Sequence, residues 1–141
     1  MTRIAVIGGG LMGHGIALTF ARDGHAVAVT APVAEALASV PARVAESLEL
    51  LGADNEAIQA ALDRLILCET VAQAVAGADA VFEAAPEKLD LKQKLFAEIE
   101  AHAPAAALLA SNTSVIQISK IKEGMKNRHR ALGTHWWNPP H

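Results

Sequence analysis

The chain lacks most of the features that mark specialised classes of protein. Its single cysteine, Cys68, excludes an internal disulfide framework and fits a reducing, cytoplasmic setting. No apolar run approaches the roughly 20 residues that a membrane-spanning helix requires. A formal charge of −3 and an isoelectric point of about 6.0 supply no basic surface for nucleic acid. We therefore expect no membrane or nucleic-acid partner, and nothing in the sequence predicts a bound metal.

The composition is that of one globular domain. With 141 residues, 52% of them hydrophobic and 19% charged, the chain can bury a sizeable core but is short for two domains. Short apolar runs alternate with longer segments of helical spacing. The predicted strands are Arg3–Gly8, Ala26–Thr30, Leu65–Glu69, Ala80–Ala84, Ala107–Ser111 and Arg130–His135. The predicted helices are Leu11–Asp23, Val33–Leu51 (which Pro41 should kink or split), Asp54–Asp63, Val71–Ala76 and Leu89–Ala101.

This alternation predicts the fold class. Strands separated by helices favour a parallel sheet, because the crossover helices then cover both faces. We expect residues 1–141 to form one α/β domain with a doubly wound, mostly parallel sheet and helices on both faces.

A glycine-rich turn follows the first predicted strand. Gly8, Gly10 and Gly13 form a G-x-G-x-x-G pattern, with Leu11 and Met12 opening the helix. In this strand–turn–helix context the first glycine permits a tight turn, the second lets a pyrophosphate approach the backbone, and the third lets helix and strand pack closely. The helix N-terminus offers free N–H groups to the phosphates. The pattern predicts a Rossmann-like dinucleotide-binding site formed by these five residues.

The end of the second strand leaves the choice of dinucleotide open. Such folds usually place an acidic residue there to bind the adenine ribose, but this chain has Ala31 at that position. No Arg or Lys stands next to it to receive the 2′-phosphate of NADP, since Arg43 lies more than two helical turns further on. We expect Ala31 to contact the cofactor, with NAD favoured and NADP not excluded.

Four segments, in order along the full chain, resemble the 3-hydroxyacyl-CoA dehydrogenase family. They are residues 8–17 (GGGLMGHGIA), 83–89 (EAAPEKL), 111–114 (SNTS) and 133–139 (GTHWWNP). The resemblance implies an N-terminal Rossmann-like domain followed by a mostly helical substrate and dimerisation domain, which is absent from this chain. It also implies oxidation of a 3-hydroxy group to a 3-keto group with hydride passing to NAD, a role in fatty acid metabolism, and a homodimer for the full-length protein.

The resemblance also assigns roles to individual residues. His135 corresponds to the catalytic base, Ser114 to the serine that hydrogen-bonds the substrate hydroxyl, and Asn138 to a further polar active-site residue. Glu87, Lys92 and Asn112 correspond to cofactor contacts. The family pairs the histidine with a glutamate about a dozen residues later, a position that lies beyond His141.

General chemistry supports these roles. Alcohol oxidation by hydride transfer must also release the hydroxyl proton, and a histidine is suited to accept it. His135 and Ser114 both follow predicted strand ends, where ligands bind in open α/β sheets. The Asn112–Ser114 segment also fits a helix cap, and Trp136 and Trp137 fit either core packing or a substrate pocket.

The substrate class stays open between two alternatives. Ser47 corresponds to a coenzyme A contact in the family, but the family's lysine falls near Asp54, and no lysine occurs between Arg43 and Arg64. Coenzyme A phosphates usually attract basic side chains. We predict a 3-hydroxyacyl-CoA substrate, with a non-CoA hydroxy acid as one alternative and a non-catalytic dinucleotide-binding module as another. The 141-residue chain alone is expected to turn over little.

Overall fold

A computed structural model describes residues 1–140; His141 lies outside the described residues. Six parallel strands form one sheet in the order β3-β2-β1-β4-β5-β6. The predicted fold class is therefore confirmed, with every strand pair parallel. The strands are β1 Arg3–Ile7, β2 Ala26–Thr30, β3 Leu65–Cys68, β4 Ala80–Glu83, β5 Leu108–Ser111 and β6 Ala131–Gly133.

The predicted helices are all present, with a division at Ser39 and additional short helical elements after β5. The helix predicted over Val33–Leu51, which Pro41 was expected to kink or split, is split into two helices that meet at Ser39. Pro41 lies in the first turn of the second helix, where its missing N–H breaks no hydrogen bond. A short helix and two 3-10 turns after β5 were not predicted. The helices are α1 Leu11–Arg22, α2 Ala34–Ala38, α3 Val40–Leu50, α4 Asn55–Leu62, α5 Val71–Val75, α6 Leu89–His102 and α7 Ile118–Ile121, followed by 3-10 turns at Lys122–Gly124 and Arg128–Arg130.

Alternate residues of the central strand face two separate cores. Ile4 and Val6 of β1 pack in the cluster that contains residues of α1, α3 and α4. Ala5 and Ile7 pack in the cluster that contains residues of α5, α6 and α7. The sheet is therefore covered on both faces, as the alternation predicted. None of the helices in residues 1–140 is both long and apolar enough to cross a bilayer.

The strand order creates a crevice at the edge of the sheet formed by the carboxyl ends of the strands. The chain moves outward from β1 to β2 and β3, then returns to place β4 on the other side of β1. The loops after β1 and β4 consequently diverge, and ligands of open α/β sheets bind at such a switch point. Because all strands are parallel, the segments after β1, β4, β5 and β6 reach this same edge. These segments carry most of the predicted site residues.

Candidate active site

The turn after β1 requires glycine at two positions for steric reasons. Gly8 has a φ of +121°, and a Cβ there would lie 2.6 Å from the carbonyl oxygen of Ala84. A Cβ on Gly13 would lie 1.8 Å from the carbonyl oxygen of Gly8, so only glycine lets α1 pack this closely on the turn. A Cβ on Gly10 would meet nothing within 4 Å. Gly10 therefore faces open space, as expected for a backbone that a pyrophosphate approaches.

A cavity of about 540 Å³ opens directly beside this turn. Its lining includes Leu11 and Met12, Ala31 after β2, and Ala85 and Pro86 after β4. The first turn of α1 contains no acidic residue, so its N–H groups and positive dipole end face the crevice without competition from a carboxylate. The glycine turn leaves its backbone open at Gly10, the N-terminus of α1 faces the crevice, and an apolar cavity adjoins both. Together these features fit a dinucleotide.

The two glycines separate packing from cofactor binding in a direct test. Gly13→Ala forces a backbone clash and is expected to lower the unfolding temperature or abolish folding. Gly10→Ala is expected to fold normally but to weaken NADH binding by about tenfold or more, because its methyl group occupies the pyrophosphate position. Thermal unfolding and fluorescence titration with NADH measure the two effects. Normal NADH affinity in Gly10→Ala would contradict this placement of the pyrophosphate.

A buried ionic cluster lies immediately behind the crevice. Glu83, Lys92 and Ser111 are all fully buried. The Lys92 ammonium donates to Glu83 Oε1 at 2.6 Å and to the carbonyl oxygen of Ala85 at 3.1 Å, and it lies 3.2 Å from Glu87 Oε2. Ser111 Oγ donates to Glu83 Oε2 at 2.5 Å. The cluster therefore ties β4, α6 and β5 together under the site.

Lys92 is therefore buried behind the crevice and does not lie at the cofactor surface, where the resemblance placed it. A direct cofactor contact was expected, but its side chain is inaccessible and its three donors are used by protein oxygens. In this structure Lys92 acts on the site only through the residues it holds. Its neighbour Glu87 is about one-third exposed and lies at the crevice.

Glu87 fixes the loop that follows β5. Its Oε1 accepts hydrogen bonds from Thr113 Oγ1, from the Ser114 N–H at 2.8 Å and from the Val115 N–H at 3.1 Å. Partial burial raises the pKa of Glu87, but these hydrogen bonds and the Lys92 ammonium outweigh it and lower the pKa to about 2. The carboxylate is therefore ionised at neutral pH and holds the backbone of Ser114 in place.

Ser114 and His135 meet at the edge of the sheet. His135 Nε2 lies 3.1 Å from Ser114 Oγ, and both side chains are solvent-accessible. Asn112 Oδ1 accepts the N–H of Trp136 at 2.8 Å, which links the loop after β5 to the loop after β6. Asn112 was predicted to contact the cofactor; what the structure shows is that it holds the histidine loop. Because Gln117 is the residue that precedes α7, the Asn112–Ser114 segment does not cap a helix.

Trp136 and Trp137, for which the sequence left core packing and a substrate pocket open, have different environments. Trp136 packs edge-on against Phe82 and Phe20 with ring centroids 5.9 and 5.8 Å away, so it belongs to the core. Trp137 is 76% exposed, and its ring centroid lies 5.2 Å from that of His135. Trp137 is therefore an open apolar surface beside His135.

Two predicted site residues are not joined to this group. Asn138 is exposed and forms no hydrogen bond with Ser114 or His135 within residues 1–140. Ser47 lies half-buried on α3, and its side chain makes no hydrogen bond to the other described site residues. Their assigned roles remain predictions that rest on the resemblance.

Sequence reasoning missed two residues of the site. Glu83 stood in a recognised segment but received no role, although a carboxylate at the end of a buried strand signals a paired charge. Arg43 was judged too far along the chain from Ala31 to receive a 2′-phosphate and was given no role; in the structure its Nη1 donates to the carbonyl oxygen of Gly9 at 2.8 Å. Spacing along the sequence did not reveal this contact, because Gly9 and Arg43 are 34 residues apart.

Comparisons with known proteins agree with this geometry. Residues 3–141 match the family model for the 3-hydroxyacyl-CoA dehydrogenase NAD binding domain. The chain is 38% identical over 137 residues to the L-carnitine dehydrogenase/betainyl-CoA thioesterase of Agrobacterium fabrum, covering 97% of this chain and 28% of that protein. It is 39% identical over 140 residues to the 3-hydroxyadipyl-CoA dehydrogenase of Escherichia coli, covering 96% and 29%.

A solved structure shows the same arrangement of the chain. The 3-hydroxybutyryl-CoA dehydrogenase of Escherichia coli K12 superposes with a TM-score of 0.89 at 40% identity, over 99% of this chain and 30% of that one. The chain spans 28% to 48% of the length of the curated relatives compared with it. With sequence, fold and family model in agreement, the chain belongs to the 3-hydroxyacyl-CoA dehydrogenase family and is an NAD-binding domain of that family.

Proposed function

We propose that the full-length protein oxidises the 3-hydroxy group of a 3-hydroxyacyl-CoA to a 3-keto group, and that this chain supplies its cofactor site and its proton acceptor. The pairing of His135 Nε2 with Ser114 Oγ at 3.1 Å carries the proposal. A module that only binds dinucleotide needs no such pair. Here the pair lies on the same sheet edge as the glycine turn.

The chemistry follows from what these side chains can do. When bound, NAD accepts the hydride that leaves carbon 3 of the substrate. The remaining hydroxyl proton must leave as the carbonyl forms, and His135 Nε2 accepts it as general base. Ser114 Oγ hydrogen-bonds the substrate oxygen and fixes its position relative to the imidazole. Glu87 and Asn112 hold the backbones of the two loops, so neither group has to move for the proton to pass.

The remainder of the proposal concerns parts outside this chain. His135 and Trp137 are exposed, and hydride transfer requires water to be excluded from the site. We therefore propose that a helical domain covers them, forms a homodimer and supplies the glutamate that orients His135. A cytoplasmic location and a role in fatty acid metabolism belong to the same proposal, supported by the lone cysteine and the family.

A specific observation favours a second substrate class, a hydroxy acid without coenzyme A. Glu46, Glu49 and Glu56 are exposed on α3 and α4, and they would repel the phosphates of coenzyme A. Of the two arginines that flank this region, Arg64 is bound to the main-chain carbonyls of Ala21 and Ala60, and Arg43 is hydrogen-bonded to Gly9 at the glycine turn. One relative carries the name L-carnitine dehydrogenase, which names a substrate without coenzyme A.

The experiment compares matched substrates on the full-length protein. Reduction of NAD is followed at 340 nm with 3-hydroxybutyryl-CoA, free 3-hydroxybutyrate and carnitine. A kcat/KM at least about a hundredfold higher for the thioester supports the proposal. The reverse order supports the hydroxy acid, and NADH binding without turnover of any hydroxy compound would leave only a binding module.

A further inference from the structure

We propose that this domain binds NADP(H) as well as NAD(H), with Arg43 as the side chain that receives the 2′-phosphate. The inference rests on dinucleotide binding at the glycine turn. It concerns the adenosine end of the cofactor, which is separate from the catalytic pair.

The position that normally rejects NADP carries no charge in this chain. A carboxylate at the end of the second strand binds the ribose 2′-hydroxyl of NAD and repels the 2′-phosphate of NADP. Here Ala31 occupies that position and lines the cavity, and the next two residues, Pro32 and Val33, are also uncharged. The main electrostatic barrier to a 2′-phosphate is therefore absent at this strand end.

A guanidinium group is hydrogen-bonded to Gly9, which lies next to this position. Gly9 stands between the two residues: a Cβ placed on it would lie 3.3 Å from Ala31 Cβ, and its carbonyl oxygen accepts the Nη1 of Arg43 at 2.8 Å. Arg43 is half-buried and forms no ion pair within residues 1–140. Its other N–H groups and its full positive charge stay available, and guanidinium binds phosphate through several donors at once.

One carboxylate lines the same cavity and has to be weighed against Arg43. Glu69 follows β3, and the pairing of Thr30 with Cys68 places it level with Ala31. Since β2 lies between β1 and β3, Glu69 and Gly9 flank Ala31 on opposite sides. In this proposal the 2′-phosphate lies on the Gly9 side of Ala31, and the Glu69→Gln variant described below tests whether Glu69 opposes it.

The test compares NADH and NADPH affinities by fluorescence titration. Both share the pyrophosphate, so damage to the glycine turn weakens both, and only the ratio of the two dissociation constants reports the 2′-phosphate. In the wild-type protein we expect this ratio to stay within about tenfold of unity. Arg43→Met is expected to weaken NADPH binding by about tenfold relative to NADH, the equivalent of about 1.4 kcal/mol. Ala31→Asp is expected to disfavour NADPH still more strongly.

Controls separate this inference from the other assignments. Arg22→Met removes an exposed arginine at the far end of α1 and is expected to leave the ratio unchanged. NADPH binding about a hundredfold weaker than NADH in the wild type, or an unchanged ratio in Arg43→Met, would overturn the inference while leaving the NAD site intact. If Glu69→Gln raises the NADPH affinity while Arg43→Met leaves the ratio unchanged, Glu69 takes the part of the carboxylate missing at Ala31. This result also overturns the inference. If neither nucleotide binds, the glycine-turn site itself is disproved.

Discussion

Lys92→Met is expected to lower the free energy of unfolding by about 3–5 kcal/mol. Lys92 and Glu83 are both fully buried, so removing the ammonium leaves an uncompensated carboxylate in the core. Single domains are stable by only about 5–15 kcal/mol, and the loss is therefore a large part of the total. Urea unfolding followed by circular dichroism measures it.

Two further variants make the interpretation specific. Lys94 lies on the same helix but is exposed, so Lys94→Met is expected to change stability by less than about 0.5 kcal/mol. The double variant Glu83→Gln/Lys92→Met removes both charges and is expected to be more stable than Lys92→Met alone, because a buried amide costs less than a buried unpaired carboxylate. A double variant that is less stable than Lys92→Met would show that the charge of Glu83 is compensated elsewhere.

His135→Gln is expected to lower the kcat of the full-length protein by about 10²–10⁴-fold. Glutamine retains a hydrogen-bonding group near Ser114 Oγ but cannot accept the hydroxyl proton at neutral pH. The affinity for NADH is expected to stay within about twofold of the wild type, since His135 does not line the cavity at the glycine turn. Steady-state rates in the better substrate and NADH titration measure the two quantities separately.

The control for this prediction is another exposed histidine of the same chain. His129→Gln, in the 3-10 turn before β6, is expected to leave kcat unchanged. Ser114→Ala is expected to reduce kcat less than His135→Gln, because it removes an orienting hydrogen bond and leaves the proton acceptor in place. Wild-type turnover in His135→Gln would show that another group takes the proton.

Local patterns were sufficient to predict the fold and the glycine turn. Each buried strand is a short apolar run, each long helix carries apolar residues at helical spacing, and Gly8, Gly10 and Gly13 have fixed spacing around one turn. Such features depend on residues close together in sequence. Over Val33–Leu51, Pro41 was expected to kink or split the helix; the structure shows the split, with Pro41 in the first turn of the second helix.

The sequence by itself determined the class of fold and the dinucleotide turn, because each is encoded in short contiguous patterns, and through the family resemblance it predicted His135 as the proton acceptor. Only the tertiary structure decided which charges meet. It placed Lys92 against Glu83 in the core, and it brought Arg43 to Gly9, 34 residues away along the chain. Electrostatic energy depends on distance and burial in space, and neither can be read from spacing along the chain.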